Sequence, residues 1–302
     1  MWFKNIQIFQ LVEPFTLTPE QLQALMVNHA SRPCGKLERM HYGWVSPLGQ
    51  GNELLVHALN GRYLIAARKE EKILPASVVR EYAAVKIKEM EENENRKLTS
   101  REKRNVSDQV MVSLLPQALS KSQTTFAYLD TVKNWLIVDA SNRTRADDLT
   151  VLLRNTLGSF KLAEINLKHS PAVTLTSWLA TENLPRDFTL EDYCEMQDPN
   201  AASTVIKCVN QDLTAKEVLG HLESGKQVIK LALSWSDRLT YIIDSALSVR
   251  RIRFLDLVQQ QVDDSNTESE SEKFDADFLI FTAEFAEFLP RLWEAMGGHE
   301  EA

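Results

Sequence analysis

Long apolar runs are missing from this sequence. No stretch approaches the roughly 20 consecutive apolar residues of a membrane-crossing helix, so a membrane-spanning protein is not expected. The opening MWFKNIQIFQLVE is apolar but short. It has neither a basic segment nor a small-residue cleavage site, so it reads as a first β-strand rather than a secretory signal. Cysteine is scarce too. Cys34, Cys194 and Cys208 are odd in number, far apart in sequence and never in C-x-x-C spacing. That excludes a disulfide framework or a cysteine-rich zinc site, fits a reducing cytosol, and leaves three small buried hydrophobes as the expectation.

Catalytic constellations are also absent. His29, His41, His57, His169, His221 and His299 show no H-E-x-x-H or H-x-H spacing, and there is no G-x-S-x-G elbow. One stretch, GHLESGKQ at 220–227, nearly matches the phosphate-binding loop G-x-x-x-x-G-K-[ST]. Gln227 stands where a magnesium-holding hydroxyl belongs, and a helix precedes the stretch while a strand follows. A phosphate loop needs the reverse order, so that helix N-terminal amides face the anion. Gly225 is more simply a helix stop. No residue pattern supports a metal or acid/base site.

What is there is an ordinary globular composition, 44% hydrophobic and 25% charged, over 302 residues, enough for about two domains. The net charge of −8 is unevenly spread. Residues 255–302 hold 13 acidic and 2 basic side chains, whereas residues 1–254 hold 29 acidic and 32 basic. Five-sixths of the chain is therefore mildly basic and can carry a local positive surface.

Periodicity and turn chemistry give the organisation. A strand is predicted at 2–11, then a helix at 19–30 behind a Thr18-x-x-Gln21 capping box. Strands follow at 42–45, 53–59 and 62–67, the last two joined by the hairpin signal Asn60-Gly61. Two charged helices come next, the second opened by a Thr99/Glu102 capping box and ending near Pro116. Strands at 124–130 and 135–140 lead to a helix at 143–157 stopped by Gly158. The second half has a helix near 176–181, strands at 188–196 and 204–209, and a helix capped by Thr214 and Glu217. A meander at 227–235, 239–244 and 248–255 follows, then a polar acidic loop at 262–273 and a helix at 276–296. Its phenylalanines Phe278, Phe281, Phe285 and Phe288 read as a core-facing stripe. The segments group as 1–75 (N-terminal α+β unit), 76–120 (helical arm), 121–165 (β-β-α continuation) and 166–302 (C-terminal α+β unit).

Basic clusters are the positive signal. RKEEKILP at 68–75 closes an apolar run with five charges, either a phosphate-facing group or a solvated corner between strand and helix. RKLTSREKR at 96–104 has five basic residues at the junction of the two long helices, either a contact surface or a solvated helix end. In the meander, strict alternation places Lys226 and Lys230 on one face with Ile229, Leu231 and Leu233 on the other. It likewise sets Arg251 and Arg253 opposite Ile252 and Phe254. Neighbouring strands of that kind would present a cationic strip, able to meet phosphates without reading bases.

The order of several stretches is more specific: WFKN at the start, RPCG at 32–35, GWV at 43–45, RKEEKILP, SLLP at 113–116, QDLT at 211–214, KLALSW at 230–235 and FDADF at 274–278. Together with the total length they closely resemble the bacterial recombination-associated RdgC family, nearly end to end. The resemblance implies an α+β, horseshoe-shaped subunit with mixed antiparallel sheets and an inserted pair of long helices, assembling as a ring-shaped homodimer with a basic central hole. It implies a non-enzymatic protein in the cytoplasm, associated with the nucleoid and not with membranes. Such a protein binds double- and single-stranded DNA without sequence preference and restrains RecA-mediated recombination, with no cofactor. The DNA-binding candidates are then Arg68, Lys69, Lys72, Arg96, Lys97, Arg101, Lys103, Arg104, Lys226, Lys230, Arg251 and Arg253. Interface candidates are Leu119, where the family carries a bulky aromatic, Asn210, where it carries a basic residue, and Gln211. A protein–protein adaptor built on the charged helices is the competing expectation.

Overall fold

The computed structural model describes residues 2–49, 51–263 and 269–299. In chain order its elements begin β1 (Ile6–Leu11), α1 (Pro19–Val27), β2 (Met40–Val45), β3 (Val56–Leu59), β4 (Arg62–Lys72), α2 (Ala76–Asn93) and α3 (Ser100–Leu114). Next come a short 3-10 turn, β5 (Ser120–Asp130), β6 (Trp135–Asp139), α4 (Arg143–Leu157), β7 (Leu162–Glu164), α5 (Pro171–Thr181), β8 (Phe188–Asp198) and β9 (Ala201–Val209). The chain continues through α6 (Lys216–Glu223), β10 (Gln227–Trp235), β11 (Leu239–Asp244), β12 (Val249–Phe254), α7 (Asp256–Asp263) and α8 (Glu270–Ala295). The fold is α+β, with antiparallel strand pairing. Two compact units are present: Met1–Pro19, His57–Leu64 and Phe126–Ala302 form the larger, Glu20–Val56 and Ile65–Thr125 the smaller.

In the larger unit the sheet order is β5-β6-β1-β12-β11-β10-β8-β9, with β7 beside β1. One sheet face is dry because α8 lies against it. Phe278, Phe281, Phe285 and Phe288 are all buried, as their helical spacing predicts. Phe281 packs on Phe3 at 5.1 Å, Phe285 on Phe254 at 5.8 Å and Phe288 on Tyr241 at 4.8 Å. Each buried ring contributes on the order of 1.5–3 kcal/mol. Helix α8 opens at Glu270 rather than 276, because Ser269 and Glu272 form a capping box and the acidic first turn suits the helix dipole. The expected acidic loop at 262–273 is thus corrected: 262–263 end α7, 270–273 begin α8, and 264–268 lie outside the described residues.

Other corrections are local. Helix α1 ends at Val27, three residues before the expected stop, because His29 and Ala30 turn back onto Met26 and Val27 carbonyls. Strand β3 begins at Val56, not at 53. Thr214 does not cap α6: its N–H and O–H both donate to Asp212, and the N-cap is Ala215 without a side-chain bond. Cys194 and Cys208, remote in sequence, are direct cross-strand partners on β8 and β9. Both are free thiols, and burial, with Cys208 alongside, pushes the Cys194 thiol up to about 12. The phosphate-loop look-alike is helix, then Gly225 at φ +89°, then strand, as its residues indicate.

In the smaller unit β2 pairs with β4, and Leu22, Met26, Trp44, Ile65, Ala66 and Ala67 are buried. Gly43 lies against the chain leaving α1: an added Cβ would sit 2.8 Å from the His29 carbonyl oxygen and from Ser31 backbone atoms. Helices α2 and α3 share their own small core of Ala83, Leu98, Val106 and Val110. Their junction is stapled by Glu91, which accepts from Lys97 Nζ at 2.8 Å, Leu98 N–H at 3.0 Å and Lys103 Nζ at 3.1 Å. Hydrogen bonds from Lys97, Leu98 and Lys103 hold the Glu91 carboxyl down to about 2.

Gly43→Ala is expected to destabilise the protein by about 1–3 kcal/mol, the usual cost of forced overpacking, read as a lower urea midpoint. An unchanged midpoint would refute the close approach. Because the folded Glu91 carboxyl sits below its ordinary 4.5, its stabilising contribution is complete above that value and fades as pH falls towards 2. The protection of the Val106 and Val110 amides, measured against the intrinsic exchange rate at each pH, should therefore fall in acid in the native chain, and Glu91→Gln should show the lower protection already at neutral pH.

Candidate nucleic-acid interface

With α8 on one face of the larger sheet, charge gathers on the other. There Lys207, Lys230, Arg250 and Arg251 surround a hollow of about 360 Å³ that also takes in Asn5, Ser141, Tyr193, Glu195 and Ile242. Two irregularities build it. Between β11 and β12 the register shifts across Thr240/Ile242, and Arg251 adopts φ +51°. This bulge turns Arg250 and Arg251 out consecutively, between buried Val249 and Ile252. A shift between Val228 and Lys230 does the same in β10, so Val228, not Ile229 as strict alternation implies, is buried.

Glu195 sits at the centre, 4% exposed. Lys230 approaches it at 2.9 Å and Lys207, its cross-strand partner, at 3.1 Å, while the Tyr193 hydroxyl donates a further short bond. Burial alone would raise the Glu195 carboxyl, but these three donors hold it at about 2. Burial and the bond to Glu195 push Tyr193 up to about 12. The guanidinium of Arg251 lies over the Tyr193 ring at 5.3 Å, and the backbone N–H of Arg251 donates to Asn5 Oδ1 at 3.2 Å. Arg250 is paired with Asp244 at 2.9 Å. Four cations thus meet two carboxylates, Glu195 in the lining and Asp244 beside Arg250, so the hollow stays positive, with Arg251 exposed against its tyrosine.

Of the meander candidates, Lys230 and Arg251 meet here. Lys226 precedes β10 and donates to Ser224, and exposed Arg253 lines a different hollow with Trp2, Lys4 and Phe254. Lys207 and Arg250 are contributors that sequence reasoning missed. Lys207 had a signal, a lysine alternating with Cys208 on an apolar strand; Arg250 had none, since bulges leave no clear mark here.

In the smaller unit, RKEEK is not a corner. Strand β4 continues through Lys72, with Arg68, Lys69, Glu70 and Glu71 in register with Gly43, Tyr42, His41 and Met40. Unbroken alternation puts Arg68 and Lys72 on one side and Lys69 on the other. Lys72 Nζ reaches the Ala118 carbonyl at 3.4 Å. In the helical junction Arg96 pairs with Glu94 and Glu102, and Lys97 and Lys103 with Glu91. Arg101 and Arg104 are exposed and make no such pair among the described residues. Leu119 is 78% exposed. Asn210, at φ +52°, and Gln211 border a shallow hollow after β9, and Gln211 Nε2 donates to Glu217. Among the described residues no three His, Cys, Asp or Glu side chains gather as for a metal ion, and no helix is long and apolar enough to cross a membrane.

Comparison with known proteins gives the family. Residues 1–299 match the family described as "Putative exonuclease, RdgC". The recombination-associated protein RdgC of Aeromonas hydrophila is 40% identical over 302 residues, covering all of both chains. The proteins of that name from Tolumonas auensis and Yersinia enterocolitica are 38% and 37% identical, each over at least 99% of both chains. The chain belongs to the RdgC family of recombination-associated proteins.

Proposed function

We propose that the protein binds DNA without sequence preference, as a homodimeric ring that encloses or coats the strand and restrains RecA-mediated recombination at the nucleoid, without catalysis. The observation that carries this reading is the convergence of Lys207, Lys230, Arg250 and Arg251 on one sheet face. Such a surface neutralises phosphates and releases counterions, and it offers no ordered set of groups to a base-pair edge. Arg251 over Tyr193 adds a flat cation that a sugar–phosphate backbone can cross. Leu119, exposed just after the helical arm, is open to burial against another copy.

Anisotropy of a labelled duplex of arbitrary sequence, titrated at several salt concentrations, tests the DNA reading. Lys207→Ala and Arg251→Gln should each weaken binding to unrelated duplexes alike and reduce the salt slope by about 1. Glu195→Gln should tighten binding and steepen the slope, because Lys207 and Lys230 lose their carboxylate. Unchanged affinity and slope in all three would remove this face from the interface. Label released as nucleotides during incubation with magnesium or manganese would establish an enzyme instead.

Leu119→Asp should shift the sedimenting species towards monomer while leaving the circular dichroism of the helices intact. A native chain that is already monomeric would end the ring reading.

A further inference from the structure

Beside the cationic hollow, and sharing Arg250 with it, lies a second one of about 650 Å³ in the same unit. Its walls come from β1, the start of α4, the segment joining β7 to α5, and the β11–β12 turn. Its charges cancel. Arg143 is held by Asp147 at 2.9 Å and Glu164 at 2.7 Å, and lies over the Phe9 ring at 4.6 Å. Arg250 is paired with Asp244. A phosphate entering here would meet no uncompensated cation.

The hollow offers neutral hydrogen bonding beside apolar walls instead. Gln7, only 3% exposed, is part of its lining. Gln7 Oε1 accepts from the Ser248 hydroxyl at 3.1 Å, and Nε2 has no partner. Exchanging the two amide atoms would merely leave the oxygen unpartnered. Arg250 Nε is likewise buried without a partner. Buried polar atoms left unpaired are costly and uncommon, and Gln7 and Arg250, the residues that carry these two, both line this hollow. Ile165, Leu167 and Leu247 supply the apolar surface.

We propose that this hollow receives an unstacked nucleobase of a single DNA strand whose phosphates lie on the adjoining cationic hollow. The inference rests on the DNA-binding reading above. A base is flat and neutral, with donors and acceptors on its edge that an amide and a guanidinium N–H can meet. In a duplex that edge is already paired, and extruding it requires breaking the pair and its stacking. The cationic hollow serves both forms of DNA; the base site favours the single strand.

The test uses the full chain with a single strand carrying 2-aminopurine, whose fluorescence rises on unstacking, and with the same strand in a duplex. Gln7→Leu removes the amide at nearly constant volume, and Ala246→Trp fills the hollow from its exposed turn. Both should lower single-strand affinity by about tenfold, the scale of one lost base contact, abolish the fluorescence rise and leave duplex affinity within about twofold. No rise with the native chain, or equal losses for strand and duplex, would overturn the base site while DNA binding stands. No binding of either DNA at low salt would overturn the DNA reading and this site with it.

Discussion

Helix α8 lays four phenylalanines along one face of the larger sheet and excludes water from it. A charge on that side needs a partner, as Glu284 has in Arg238. Charged residues of β8, β9, β10 and β12 therefore have one direction left, the opposite face. Confinement by the core, rather than attraction among like charges, explains how four cations come to share one hollow. Without the helix neither the direction of those side chains nor their company would be set.

Their repulsion is managed by two buried carboxylates, Asp244 on Arg250 and Glu195 on the lysines. Glu195 is deep enough that burial alone would favour its neutral form, yet two lysines and a tyrosine keep it ionised. It organises Lys207 and Lys230 and leaves Arg251 outward on a tyrosine ring. The helical arm applies the same device with the opposite consequence. Glu91 and Glu102 occupy Arg96, Lys97 and Lys103 in stapling a turn, so a segment that is equally basic in sequence has much of its charge engaged internally.

Much of the fold was legible beforehand because it follows from local rules. The bounds of α4, β10 and β11, the Thr99/Glu102 cap and the buried phenylalanine stripe all follow from periodicity and capping chemistry. The reading failed where a distant partner decides. The strand was expected to stop at Ala67, before the charges of RKEEK; backbone pairing with β2 carries it on, and β4 ends only at Lys72. Cys194 and Cys208 looked unrelated because no spacing rule links residues on separate strands. The candidate site was half visible: Lys230 and Arg251 were foreseen, Lys207 and Arg250 were not.

By itself the sequence determined the α+β class, the order of helices and strands, the dry face of α8 and, through its ordered motifs, the RdgC family. Those properties reside in neighbouring residues or in long stretches compared whole. Tertiary structure alone decided which cations meet, which are already paired, and where a hollow remains. Strand bulges and cross-strand register set those outcomes. A shift of a single residue sends a side chain to the other face, and nothing within the strand itself records that shift.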